Sequence, residues 1–204
     1  DVPSRGMHLE FPLRESDGRE LEQALAGQSL ERGAYVCVHP GAQLPSRRWS
    51  PNRFAVVADA LAARGFRVML TGTLGERAIV RQVAEAMRAP ATDLSGRTTL
   101  GALAALVDAA RLVVTNDTGM RHVAAARGTP YVAVACGSNV RRWAARGAAQ
   151  RLLHADVSCR PCAHVNCPFD HACAALIDSA AVIAAADELL GRAALRVEER
   201  ACAG

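Results

Sequence analysis

Asn116-Asp117-Thr118-Gly119 interrupts an apolar run and leads into a stretch of helical composition. The run before it, Leu112-Val113-Val114, is β-branched and too short for a helix, so it reads as a buried strand. Met120 to Ala126 reads as helix, ended by Gly128 with Pro130 just beyond. In an open α/β sheet, ligands bind where the carboxyl end of a strand feeds a helix N-terminus. Free N–H groups and the positive end of the helix dipole suit that place to phosphate. Gly119 permits close approach, and Asp117 and His122 add polar groups suited to a sugar. The turn therefore fits a phosphorylated, hydroxyl-rich ligand. A plainer role fits the same residues, with Asp117 or Thr118 capping the helix and His122 at the surface. Spacing alone does not separate the two.

Two further turns carry chemistry of the same kind. Residues 39–49 contain Gly41 and the pair Arg47-Arg48. The planar fork of Arg suits a diphosphate, although any single Arg is more often solvated. Residues 71–76 contain Thr71, Gly72 and Glu76. Glu76 suits ribose hydroxyls or a base amine, and it equally suits the first turn of a helix. Gly72-x2-Gly75 matches neither a G-x-G-x-x-G fingerprint nor a Walker A loop, which disfavours a dinucleotide oxidoreductase or a P-loop NTPase.

Strands and helices must bring these turns together. Tyr35-Val-Cys-Val38, Phe66–Leu70, Thr92–Leu94, residues 112–115, Tyr131–Ala135 and Arg151–His154 read as strands. Helices are expected from Ser50-Pro51, over Arg77–Met87, from Thr98 or Thr99 to Ala109, near 120–127, and from about Ser179. This alternation predicts an α/β fold, a Rossmann-like parallel sheet with helices on both faces. The three turns then converge on one crevice. Residues 1–34 read as a connector with one apolar strip, Leu9–Leu13, and a short helix over Leu21–Leu30. The domain proper is placed at 35–196, with 197–204 a tail.

Half of the 204 residues are hydrophobic, enough for one substantial core, and no run approaches a membrane span or a signal peptide. The formal charge is only +4 and aromatics are 4%, with no basic stripe interleaved, so a nucleic-acid partner is not indicated. All the basic residues are Arg, which reads as codon bias. Arg141, Arg142 and Arg146 surround Trp143, as a solvated face or as a contact for acidic partners or lipid head groups. Cys37 and Cys136 lie in apolar runs and read as inert. Cys159, Cys162, Cys167 and Cys173, with His164 and His171 between them, are weak candidates for zinc; two disulfides or four packed thiols are the other readings.

In order, His39-Pro-Gly-Ala42, Arg47-Arg-Trp-Ser-Pro51, Thr71-Gly72 with Glu76, Asp93-Leu-Ser-Gly96 and Asn116-Asp-Thr-Gly-Met-Arg-His122 resemble glycosyltransferase family 9, the ADP-heptose:lipopolysaccharide heptosyltransferases. The cysteine loop and the helix after it are similar to the tail of many members, so the resemblance covers roughly residues 35 to 190. It implies one half of a GT-B type enzyme, the carboxyl-terminal donor-binding domain, with an amino-terminal domain supplying the acceptor site and the catalytic base. The expected catalytic residues in this chain are therefore none, and the chain alone is expected to be inactive. The expected donor-binding residues are Gly41, Arg47, Thr71, Gly72, Glu76, Asp117, Thr118, Gly119 and His122. Arg47 stands where many members carry Lys. The implied reaction inverts the anomeric centre, moving heptose from ADP-heptose to a lipopolysaccharide core sugar. No cofactor is implied, and the implied place is the cytoplasm, peripheral at the inner membrane. The cysteine loop is expected to be structural and remote from the donor crevice. The alternative is a non-enzymatic α/β binding module with a metal or redox cysteine cluster.

Overall fold

The computed structural model describes residues 8–142 and 149–202, with side chains up to residue 191. Trp143 and Arg146 therefore lie outside the described residues, while Arg141 and Arg142 are exposed.

Six strands form one parallel sheet: β1 (Tyr35–His39), β2 (Arg67–Leu70), β3 (Ala91–Asp93), β4 (Leu112–Asn116), β5 (Tyr131–Val134) and β6 (Gln150–Leu153). Their order is β3-β2-β1-β4-β5-β6, and every pairing is parallel. The direction of winding reverses between β1 and β4, which makes their carboxyl ends the switch point of a doubly wound sheet. The central strands are buried on both faces, as their continuous apolar runs require.

Alternation along β1 feeds two cores. Val36 and Val38 face α2 (Pro51–Ala62), α3 (Arg77–Ala86) and α7 (Ser179–Cys202). Tyr35 and Cys37 face α4 (Leu100–Ala109) and α5 (Gly119–Arg127). A short α6 (Ala172–Ala175) closes the cysteine loop. Local signals set several boundaries. The Thr99 side chain accepts from Ala102 N and starts α4, and Gly128 at φ 73° ends α5 in the left-handed region that favours glycine.

The opening segment differs from the expected helix over Leu21–Leu30. Helix α1 runs Glu15–Ala24 instead, opened by a bond from Arg14 N to the Asp17 carboxylate and ended by positive φ at Ala26 and Gly27. Leu9, Phe11, Leu13, Leu21 and Leu30 pack on the α4/α5 core. Arg127 ties this segment down by donating to Phe11 O and to Asp108, which Arg32 also engages.

Candidate functional site

The loops after β1, β2 and β4 meet in a cleft of about 520 Å³ at the carboxyl edge of the sheet. His39, Ala42, Gln43 and Arg47 line it from the first loop, and Thr73 and Glu76 from the second. Asp117, Thr118, Gly119, Met120 and Val123 line it from the third, and Leu100 and Leu103 complete it from α4. A larger cavity, about 870 Å³, lies at the amino ends of β2 and β3 between α2 and α3. Its carboxylate, Asp59, already accepts from the amides of Arg88 and Ala89. Size therefore does not mark the site; the convergence of strand-end groups does.

The loop after β1 is tightly held. Its entry and exit are joined by Asn116, whose Nδ2 donates to Pro40 O at 2.8 Å and Gly41 O at 3.2 Å. Asn116 Oδ1 accepts from Trp49 N at 2.9 Å. Arg48 Nε donates to Ala42 O across the loop at 2.8 Å. Arg47 lines the cleft, and its Nε is buried with no hydrogen-bond partner among the described residues. A buried guanidinium N–H without an acceptor is costly unless a ligand anion supplies one.

Glu76 takes the helix-entry role open to it in the sequence and also lines the cleft. Its Oε2 accepts from Thr73 N at 2.8 Å and Thr73 Oγ1 at 2.9 Å, a capping box at the entry to α3. The same carboxylate lies against Gly41, where a Cβ would stand 2.7 Å from Oε2. His39 Nε2 is 3.9 Å from that oxygen, and its Nδ1 is 3.1 Å from Thr71 Oγ1. Burial drives the His39 pKa below its ordinary value despite the nearby carboxylate, so the ring is neutral at neutral pH.

At the third loop, Asp117 pairs with the fully buried Arg121 one helical turn on and accepts from Ser138 Oγ. Thr118 caps α5 through its hydroxyl. Gly119 opens that helix, and a Cβ there would meet nothing within 4 Å. Met120 N is taken by the Thr118 cap; the other first-turn amides lack intrahelical acceptors, and open space lies beside Gly119.

Of the nine predicted donor residues, Arg47, Glu76, Asp117, Thr118 and Gly119 line the cleft. Gly41 lies directly under Glu76, and Thr71 is buried beneath His39. Gly72 is not among the lining residues: a Cβ would stand 2.9 Å from Val80 Cγ2 and 3.4 Å from Glu76 Cβ, so its smallness lets Glu76 and α3 approach closely. His122 is half-buried on α5 and is not among the lining residues; burial, then Arg121, lowers its pKa. Sequence reading passed over His39, Gln43, Thr73 and the apolar wall of Leu100, Leu103, Met120 and Val123. An apolar residue, Leu100, placed directly after the Thr99 cap was the available signal.

The cysteine loop is not remote from this cleft. Ser46, beside Arg47, donates from N to Val165 O at 3.0 Å and from Oγ to His164 O at 2.6 Å. His171 Nε2 donates to Ser46 O at 2.8 Å. Cys162 N donates to Gly137 O at 2.7 Å, next to the Ser138 that holds Asp117. Cys159, Cys162, Cys167 and Cys173 are free thiols, and among the described residues no three His, Cys, Asp or Glu side chains are grouped as a metal site. Burial pushes the Cys136 thiol up to about 12 and raises that of Cys173. Trp49 Nε1 and Arg53 both donate to Ile177 O, fastening the far end of the loop to α2.

The sequence model of glycosyltransferase family 9 (heptosyltransferase) matches residues 1–173. The chain is 36% identical over 119 residues to lipopolysaccharide heptosyltransferase 3 of Escherichia coli, an overlap covering 57% of this chain and 34% of that protein. Its fold is similar to a glycosyl transferase family 9 structure from Veillonella parvula DSM 2008, with TM-score 0.76 and 24% identity over 92% of this chain and 55% of that one. It is also similar to the Escherichia coli ADP-heptose lps heptosyltransferase II, with TM-score 0.73 and 23% identity over 90% and 54%. The chain thus spans about a third of the length of that curated relative and about half of those solved chains. A doubly wound parallel sheet, a strand-end cleft lined from three loops and a family match over most of the sequence agree: the chain belongs to glycosyltransferase family 9.

Proposed function

We propose that this chain is the donor-binding domain of an inverting glycosyltransferase that moves heptose from ADP-heptose to a lipopolysaccharide core sugar. The observation that carries the reading is the placement of Arg47. It lines the same cleft as the opening of α5, with a buried N–H that lacks an acceptor among the described residues. A diphosphate between the two would receive the guanidinium and the first-turn amides of α5. Glu76, already fixed by Thr73, would receive ribose hydroxyls. The apolar wall of Leu100 and Leu103 suits a base face.

In the reaction, an acceptor hydroxyl attacks the anomeric carbon from the face opposite the diphosphate. Its proton passes to a base that the resemblance assigns to another domain of the enzyme. The bond from the anomeric carbon to the diphosphate oxygen breaks with its electron pair on ADP. Arg47 and the α5 amides stabilise that charge, which is positioning plus electrostatics. Among the described residues no helix is long and apolar enough to cross a membrane. The proposed reaction would place the enzyme in the cytoplasm, meeting its lipid-linked acceptor at the inner-membrane surface.

Calorimetric titration with ADP, UDP and GDP tests the reading. ADP is expected to bind and the other two to bind more weakly. Binding of UDP or GDP with none of ADP at millimolar concentration refutes the adenine assignment. Heptose transfer by the chain alone refutes the placement of the base in another domain.

A further inference from the structure

Asn116 is fully buried at the end of β4, and both ends of its carboxamide are engaged. Its partners are two carbonyls at the start of the loop after β1 and one N–H at the end of that loop. Two acceptors and one donor in that arrangement match an amide side chain. An ionised carboxylate has no hydrogen to give Pro40 O or Gly41 O, and an apolar residue leaves all three backbone groups unmet. The clamped loop includes Gly41, which lies against Glu76, and Arg47, which lines the cleft. Asp117, the next residue after Asn116, begins the third wall.

We propose that Asn116 is the positioning residue of the donor site: its carboxamide closes the 40–49 loop into a fixed ring, setting Arg47 and Glu76 against the opening of α5 before nucleotide arrives. The inference rests on the donor-site reading and adds to it a residue that touches no ligand. Without the clamp, the loop must be ordered by the ligand, and that cost appears as lost affinity. The cysteine loop holds the crest of the ring at Ser46, and Asn116 holds its base.

The test compares Asn116→Asp and Asn116→Ala with the unaltered chain by ADP calorimetry and by hydrogen exchange over residues 41–49. At about pH 8 both variants are expected to bind ADP at least ~10-fold more weakly, with loop amides deprotected and β1 and β4 still protected. At about pH 5 a carboxyl buried against two carbonyls is protonated and can donate again. Asn116→Asp is then expected to regain affinity relative to the unaltered chain at the same pH, and Asn116→Ala is not. Parent-like affinity and loop protection in Asn116→Asp at the higher pH would overturn the proposal. If neither variant folds, the Trp49 amide of the unaltered chain decides it: protection equal to the β4 amides supports the clamp, and exchange at exposed-loop rates refutes it. Failure of the unaltered chain to bind ADP would refute the donor-site reading instead, and the exchange data would still judge Asn116.

Discussion

Gly41→Ala separates close approach from conformational freedom. Gly41 is not among the glycines with positive φ, so its backbone is open to alanine. The obstacle is Glu76: the added Cβ would fall inside contact distance of Cδ and Oε1 and stand 2.7 Å from Oε2. The carboxylate cannot yield without giving up its bonds to Thr73 N and Oγ1, at 2.8 and 2.9 Å. Loss of a capping box at a partly exposed helix entry costs about 1–2 kcal/mol. For a domain of this size that lowers Tm by roughly 2–8 °C. ADP affinity should fall as well, since Glu76 then leaves its place in the cleft. The three atoms nearest the new Cβ all belong to Glu76, so the penalty should nearly vanish in a Glu76→Ala background. Urea unfolding of the parent, both single variants and the double variant measures this, with an expected coupling of about 1–2 kcal/mol. Equal costs for Gly41→Ala in both backgrounds would refute the reasoning.

Gly119→Ala should move stability and affinity in opposite directions. Its Cβ enters open space at a helix start, raising stability by about 0.5–1 kcal/mol while weakening ADP by occupying the ligand's side of the turn; unchanged ADP affinity would remove Gly119 from the site. Burial holds the pKa of His39 and His122 below 6.5 in the folded chain, so the unfolded chain takes up more protons below that value and Tm should fall as pH drops through it; a Tm that holds or rises from about pH 7.5 to about pH 5 contradicts this. Asp108 follows at more acid pH: burial raises its pKa, but bonds from Arg32 and Arg127 outweigh that, so its contribution is lost as pH falls through a folded value below 3.8. Iodoacetamide at neutral pH should label Cys159, Cys162 and Cys167 before Cys37, Cys136 and Cys173, which are buried; equal rates at Cys136, read by peptide mapping, would contradict the packing.

The parallel sheet was legible because its signals are local. Apolar runs, the Thr99 cap and the Gly128 stop each act within a few residues. Helix α1 was placed too late in the chain because its stop lies in the backbone of Ala26 and Gly27, while Leu21 and Leu30, the bounds of the expected helix, pack on the same core from the two sides of that stop. The crevice itself was legible from topology, since strand-end loops at a switch point must converge.

Roles within the crevice were less legible, because a side chain's partners need not be near it in sequence. Asp117 bonds Arg121 at the helical spacing of four, which a sequence shows, and Ser138 twenty-one residues on, which it does not. Gly72 sits within a cleft loop in sequence, yet the nearest atom to the space where its Cβ would stand belongs to Val80, with Glu76 next. The cysteine loop follows the same rule on a larger scale. It was expected to be structural and remote from the crevice, but β5 ends beside the cleft and the chain after it returns there. Polar backbone in a loop poor in apolar residues needs partners, and the nearest are Ser46 and Gly137. A double substitution of Cys159 and Cys162 by Ser should therefore affect more than melting temperature: loosening the Ser46 contacts should also weaken ADP binding through Arg47. Lowered stability with fully retained ADP affinity would show that the loop merely packs against the donor site.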